Sequence, residues 1–527
     1  MNVRMFKVPT RKIKMSGKKI KKVKFPLQKK LSYGVGHVLN DLCASMWFSY
    51  MLLFFHKVAV FNNINSGVLI LVGQISDALA TPFVGYESDK TTNVRYGRRK
   101  IWHLLGVFCV AVSFPFIFSL CIYVGNDASQ TARMIYYIPF VIIFQFGWAA
   151  TQISHLSLIP ELTFCEQGKV ELNAIRYLFT ILSNMLVFAV CFILFEMSSI
   201  KNASSSHSYL SSADAPKFQI LAICVVVVGL VFMIIFHVGV KEQLIHAYVP
   251  ACKNEEDDDE EEEALIRNKS VQENEEICQR TIKDWFKVPL FYQVGMLYMM
   301  TRLIVNISQV YVSYFVLETL HLEKSSIAIA PAVIYFSGII ASLIAKRLNS
   351  KLGLKFTFFF GLILIFGSST WFYFLRGLSF SNKHQLYGGT VLLGMGGSTL
   401  LIDSLAMISE MIGENTDTGA FVYGSMSFLD KLSNGAAIML IQYFHPCIND
   451  PLCCTDCQLY YRTIMTFVPG VAAAIAMMVL FTLGKNAFHS EEDEAEDRDS
   501  ITRSYGSIDS HPINSSDEND KRGVIRT

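Results

Sequence analysis

Charge is what this chain has least of. Of its 527 residues, 17% are Asp, Glu, Lys or Arg, against roughly 25% in soluble domains, and that shortage excludes an ordinary soluble enzyme. Residues 1–30 contain no acid at all beside twelve Lys or Arg. So short a basic arm, directly before an apolar segment, excludes a nucleic-acid-binding module. The apolar stretch from Leu31 is too long for a secretory signal peptide and lacks a small-residue cleavage pattern; a mitochondrial presequence is the alternative left open. The chain also lacks a phosphate-cradling glycine loop, catalytic metal-ligand spacing and a nucleophile and base arrangement, so neither an enzyme nor a bound cofactor is expected.

What it has in excess is apolar surface: 52% hydrophobic residues, 13% aromatic, and a mean hydropathy of +0.37. At roughly 20 apolar residues per crossing, twelve membrane spans take up about 240 residues. Apolar runs fall near 33–57, 66–86, 101–124, 134–157, 174–196 and 218–240, then near 288–316, 326–346, 354–375, 386–408, 420–442 and 461–484. The pattern predicts an all-α membrane protein: a basic arm (1–30), a six-helix bundle (31–240), an acidic linker (241–287), a second six-helix bundle (288–484) and an acidic tail (485–527). The linker includes nine consecutive acids, Glu255 to Glu263, and is too charged to bury a core, so it is expected to be largely disordered.

Twelve spans put both termini on one side. Basic clusters mark that side as cytosolic: the N-terminal arm, then Lys90, Arg95, Arg98, Arg99 and Lys100 after span two, then Lys346, Arg347, Lys351 and Lys355 after span eight. The two basic turns precede spans three and nine, an internal repeat of the kind found in transporters built from two related bundles.

An ionisable group at a span centre costs about 2.5–3.5 kcal/mol on insertion scales, so such residues usually face a bundle interior or a watery cavity. Asp41, Asp77, Arg302 and Asp403 are so placed. Asp77 has Gln74 one turn away on the same face, and is either a substrate or proton site or a structural acid bonded to a neighbouring helix. Asp41 follows Asn40 in span one. A zwitterionic substrate needs an acceptor for its ammonium and a donor for its carboxylate. Asp41 and Asp77 suit the first role; Arg302 suits the second through two parallel hydrogen bonds, unless it pairs with an acid such as Asp403. Asp430 and Lys431, adjacent in span eleven, point about 100° apart and need different partners. Lys431 is either part of a cation site or of a structural salt bridge. Glu161 and Arg176, which bracket the turn between spans four and five, are expected to form a cytosolic gate. His103 and His155 read as helix-packing groups or proton relays.

Four of the twelve cysteines, Cys447, Cys453, Cys454 and Cys457, crowd one loop on the non-cytosolic side. Two disulfides in any of three pairings are expected, with a zinc site as the alternative. Asn202-Ala-Ser204 is a glycosylation acceptor in another such loop. In the linker, Glu261-Glu-Glu-Ala-Leu265-Ile266 has the form of an acidic dileucine signal read by clathrin adaptor complexes, and Tyr505-Gly-Ser-Ile508 in the tail that of a tyrosine-based one.

Gly85-Tyr-Glu-Ser-Asp89-Lys90 with Gly97-Arg98-Arg99-Lys100 resembles the signature between spans two and three of the major facilitator superfamily, which implies the major facilitator fold: twelve helices in two pseudo-symmetric bundles. There Gly85 admits close helix approach, while Asp89 with Arg98 and Arg99 latches one conformation. Ser32-Tyr-Gly-Val-Gly36, Asp77-Ala78 with Thr81-Pro82, and Ser157-Leu-Ile-Pro160-Glu161 resemble the melibiose-type sugar and cation symporter branch. That resemblance implies a substrate and ion site at Asp41, Asp77 and Lys431, with its span-four position at Gln152; Asn40 beside Asp41 and Gln74 one turn from Asp77 complete the candidate set. Thr81 and Gln152 stand where the branch carries acids, which argues against a sodium site of several carboxylates and leaves proton or sodium coupling open. Longer blocks, Gly36 to Trp47, Thr151 to Glu161 and Gly419 to Lys431, are similar to a lysosomal and melanosomal branch. Membership there implies import of cysteine from cytosol into the organelle, an endolysosomal address and a link to pigmentation. A transporter of another solute, or a solute-sensing receptor or scaffold, are the competing readings. The partners expected are thus a small-molecule substrate, membrane lipid and clathrin adaptors, and no nucleic acid.

Overall fold

The computed structural model describes residues 26–91, 96–122, 128–163, 166–201, 210–242, 280–375, 380–413, 418–446 and 457–484. Asn202, Glu261, Leu265, Ile266, Cys447, Cys453, Cys454, Tyr505 and Ile508 lie outside them. Among the described residues the regular structure is helical, with no strand.

Among the described residues twelve long helices follow one another: α1 Leu27–Val58, α2 Asn63–Lys90, α3 Arg98–Ile117, α4 Gln130–Ser157, α5 Glu166–Lys201, α6 Ala215–Gly239, α7 Pro289–Thr319, α8 Ser326–Leu352, α9 Leu354–Phe374, α10 Phe380–Ile412, α11 Gly419–Tyr443 and α12 Cys457–Thr482. Eleven are long and apolar enough to cross a membrane. The other is α11, which carries Asp430, Lys431 and Asn434 in its middle and lies along α2. The ends are set by local chemistry. The Asn62 side chain accepts from the Asn65 backbone N–H at 2.8 Å to cap α2, Ser129 does the same for Ala132 at α4, and Pro289 opens α7.

The internal repeat is visible in the packing. In the first half α2 and α3 pack on α4, and α6 packs on α1 and α3. In the second half α8 and α9 pack on α10, and α12 packs on α7 and α9. The halves meet along α1 with α7, α2 with α11 and α5 with α8. Inside the first half, α3 and α4 cross at Gly106 and Gly147. A Cβ on Gly106 would lie 2.6 Å from the Gly147 carbonyl oxygen, the close approach that small residues permit between membrane helices.

The basic residues gather at one end of the bundle, here the basic end: Lys29 and Lys30 on α1, Arg98 to Lys100 on α3, Lys351 on α8 and Lys355 on α9. There Gly97 takes φ +115°, a conformation that suits glycine, and a Cβ would sit 2.1 Å from Glu242 Oε2. The Glu242 carboxylate accepts the Arg99 and Lys100 backbone N–H groups at 3.0 and 3.1 Å, closing the start of α3. Gly97→Ala is therefore expected to cost about 1–3 kcal/mol from backbone strain and to lower the melting temperature in detergent. An unchanged melting temperature would contradict this anchoring. Burial, and then the nearby Glu161 carboxylate, push the Glu242 carboxyl above the usual range although the two N–H groups oppose them. A folded-state pKa above the unfolded one means that this anchor loses stability as pH rises through that interval.

Candidate functional site

Six side chains lie at nearly one depth. Asp41, Arg302, Lys431, Asp77 and Thr180 are each 12–14 residues from the basic end of their helices, roughly 18–21 Å at the helical rise. Asp430 adjoins Lys431. They form three groups where the halves meet.

The first joins α2 to α11. Lys431 Nζ is 2.6 Å from Asp77 Oδ1 and donates to Thr81 Oγ1 at 2.7 Å, while the Thr81 hydroxyl is 3.2 Å from Asp77 Oδ1. Gln74 is buried one turn along, against Gly435 of α11. The second joins α7 to α11: Arg302 Nε donates to Asp430 Oδ2 at 2.8 Å, and Asn434 and Asn306 donate to Asp430 Oδ1 at 2.7 and 3.3 Å. Adjacent residues of α11 thus serve different neighbours, as their angular separation requires. The third joins α1 to α5: Asp41 accepts from His37 Nδ1 and from Thr180 Oγ1, each at 2.9 Å.

Tyr335 of α8 spans the groups. It lies beside Gln309 and within electrostatic range of both Arg302 and Asp41, and its ring is 5.5 Å from that of Phe188. Gln309 in turn donates to Ser49 Oγ of α1 at 3.1 Å. Arg302 uses its Nε on Asp430, and its side chain is 24% exposed, so the outer edge of the guanidinium is open to a ligand. Asn40 donates to the Trp148 carbonyl at 3.1 Å, and its Oδ1 is buried without a hydrogen-bond partner. Gln152 accepts from the Trp148 indole at 2.9 Å, a bond within α4.

Residues 32–483 match the family described as MFS/sugar transport protein. The chain belongs to this family. It is 44% identical over 462 residues to Major facilitator superfamily domain-containing protein 12 of Homo sapiens, covering 86% of this chain and 92% of that protein. Identity to the Mus musculus protein of that name is also 44% over 462 residues, with coverage of 86% and 93%. In fold it is similar to the crystal structure of a D-xylose-proton symporter, with a TM-score of 0.59 and 14% identity over 85% of this chain and 96% of that one. It is a multi-pass membrane transporter with the major facilitator fold, in a family of transporters and not of enzymes.

The two ends of the facilitator are built differently. At the end away from the basic residues, here the far end, α1 and α7 each finish in a π-helical turn, Phe54–Val58 and Phe315–Thr319. Each is followed two residues on by a positive φ, +55° at Val60 and +51° at His321. Wider turns of this kind often mark functional sites. These two place Lys57 Nζ 2.7 Å from Glu318 Oε1 across the halves. Nearby, Lys324 Nζ lies 2.7 Å from Asp214 Oδ2, another link between halves, and the Tyr314 hydroxyl donates to the Leu52 carbonyl at 2.9 Å. The far end is latched.

At the basic end the ion pairs found among the gating residues stay within the first half. Arg99 pairs with Asp89, and Arg98 Nη2 lies 2.6 Å from Glu161 Oε1. Past Asp77 and Lys431, a Cβ on Gly85 of α2 or Gly424 of α11 would meet nothing within 4 Å. Lys57→Gln with Lys324→Gln is expected to raise the population of molecules open at the far end, read as a longer spin-label distance between α1 and α7 there. An unchanged distance distribution would contradict the latch.

Two sequence-based pairings are corrected. Glu161 does not meet Arg176: it sits on a one-turn helix, Ile159–Leu162, against the start of α3, whereas Arg176 lies ten residues into α5, roughly 15 Å along it. Arg176 Nε and Nη1 are buried without a hydrogen-bond partner. Arg302 does not pair with Asp403, which is buried on α10 and accepts from Asn349 at 2.7 Å; Asp430 takes that place. His37, Thr180 and Tyr335 are residues of the cluster that the sequence does not single out, and Asp430 stands out in it without its partner Arg302. The spacing of His37 and Asp41, four apart on one helix, was the signal available.

A cavity of about 540 Å³ lies elsewhere, lined by α9 and α10 residues such as Phe366, Trp371 and Gln385, and shares no residue with the cluster.

Proposed function

We propose that this facilitator imports cysteine, or a closely related small thiol amino acid, from the cytosol into lysosome-like organelles by alternating access. The observation that carries the reading is the pairing of a half-occupied guanidinium with a carboxylate that has no strong cation of its own, both beside Tyr335. Arg302 presents its outer edge to a carboxylate, the geometry in which two parallel bonds form. Asp41, held only by His37 and a hydroxyl, has lone pairs left for an ammonium. The choice of cysteine among zwitterions, the organelle and the cytosolic position of both termini rest on the similarity to the lysosomal and melanosomal branch and on the basic loops.

Asp77 is already neutralised by Lys431 and offers no net charge to a sodium ion. This favours proton over sodium coupling. The basic-end residues Gly85, Asp89, Arg98, Arg99 and Glu161 act in this scheme as the cytosolic gate, open while the far, lumenal end is latched. Radiolabelled L-cysteine accumulation in organelle vesicles, with competitors and with the pH gradient collapsed, tests the reading. Saturable uptake that falls when the gradient is removed is expected. No uptake above that of vesicles lacking the protein would refute it.

A further inference from the structure

Toward its basic end the described part of the first half holds four buried or half-buried histidines from four helices: His37, His103, His155 and His237. Their hydrogen bonds settle most of the tautomers. His103 Nε2 donates to the Gly36 carbonyl at 2.9 Å, so its Nδ1 accepts from His237 Nε2 at 3.1 Å, and His237 Nδ1 accepts from the Tyr96 hydroxyl at 2.7 Å. His155 Nε2 donates to the Tyr33 carbonyl at 2.9 Å. His37 Nδ1 donates to Asp41. Two nitrogens then remain buried with no partner, His37 Nε2 and His155 Nδ1, on rings whose centroids are 5.6 Å apart. Buried polar atoms without a protein partner call for an explanation, and proton transfer is one.

The surrounding charges single out one histidine. Asp41 on α1 is the one carboxylate that these four rings touch among the described residues. His155 of α4 faces His37, His103 and the Arg176 cation of α5; His103 of α3 faces His237 of α6, His37 and Lys100. A proton on His155 or His103 meets only other basic groups, whereas a proton on His37 meets Asp41. The aromatic neighbours, Tyr33 and Phe236, supply no charge.

We propose that His37 and Asp41 form a proton-exchange site, in which the incoming substrate ammonium takes Asp41 from a His37 imidazolium and the proton leaves through His155 toward the basic end. It rests on the proposed function, because the ammonium is that of the substrate. The step balances: His37 loses the proton on Nε2, His155 Nδ1 receives it and passes it to water, and the ammonium replaces the imidazolium as the cation beside Asp41. One proton leaves for each amino acid bound, so import and proton movement run in opposite directions through one carboxylate.

The test uses the full-length protein reconstituted in lipid and weakly buffered medium with a pH indicator. Added L-cysteine is expected to release about one proton per bound molecule from the wild type and none per bound molecule from His37→Gln, and to release it more slowly from His155→Gln. Equal release from wild type and His37→Gln, or binding to the wild type without release, would overturn the proposal. Infrared titration without substrate separates it from the cysteine reading. A pH-dependent carboxylate band lost in both Asp41→Asn and His37→Gln supports the site even if cysteine does not bind, and no such band in the wild type overturns it.

Discussion

Lys431→Ala is expected to be the most damaging single change in the transporter, lowering stability by about 3–5 kcal/mol and abolishing uptake. The side chains of Lys431 and Asp77 are 13% and 10% exposed. Removing the ammonium leaves a carboxylate held by a single hydroxyl, that of Thr81, and stranding one member of a buried ion pair costs on that scale. The reciprocal Asp77→Asn strands Lys431 and is expected to be nearly as costly. The double change Asp77→Asn with Lys431→Gln removes both charges, so its melting temperature should recover most of the loss while uptake stays absent. That divergence distinguishes a pair that works in transport from one that only holds α2 against α11. Recovery of uptake along with stability would show a merely structural bridge.

Arg302→Gln is expected to follow closely. Asp430 would keep its bonds from Asn306 and Asn434 but lose its cation, and the proposed substrate carboxylate would lose its partner. Arg302→Lys separates these effects. A lysine ammonium can still neutralise Asp430, so the protein should remain folded. It lacks the planar edge that engages two oxygens at once, and substrate affinity should drop by about 10- to 100-fold, equivalent to roughly 1.4–2.8 kcal/mol. Uptake kinetics at saturating and limiting cysteine read this as a rise in KM larger than any fall in kcat. An unchanged KM in Arg302→Lys would remove Arg302 from the substrate site.

Much of this architecture is legible in the amino-acid order. The apolar runs mark the helices, because a membrane helix has to satisfy its backbone internally and cover it with apolar side chains. The costly residues Asp41, Asp77 and Arg302 stand out against that background. Their partners do not, because partnership depends on how helices far apart in sequence are rotated against each other. Arg302 and Asp430 are 128 residues apart, and Lys431 and Thr81 350. By sequence alone Asp403 is as plausible a partner for Arg302 as Asp430, and only the placement of α10 and α11 separates them. The far-end latch is invisible for another reason. Phe54-Phe-His-Lys-Val58 and Phe315-Val-Leu-Glu-Thr319 have no residue that signals a wider turn, and only the packing of α1 on α7 makes their shared geometry and the Lys57–Glu318 pair apparent. The proposed zwitterion site is legible as a set of charges and not as an arrangement: Tyr335, which lies near both Arg302 and Asp41, is an ordinary aromatic in an apolar run.

The most direct measurement is equilibrium binding of L-cysteine, its methyl ester and its N-acetyl derivative to the reconstituted wild type and to Arg302→Lys. If Arg302 holds the substrate carboxylate and Asp41 its ammonium, the wild type binds cysteine and rejects both derivatives, while Arg302→Lys loses most of its preference for cysteine over the ester and keeps its preference over the N-acetyl form. Equal binding of all three by the wild type, or an ester preference untouched by the Arg302 change, would contradict it.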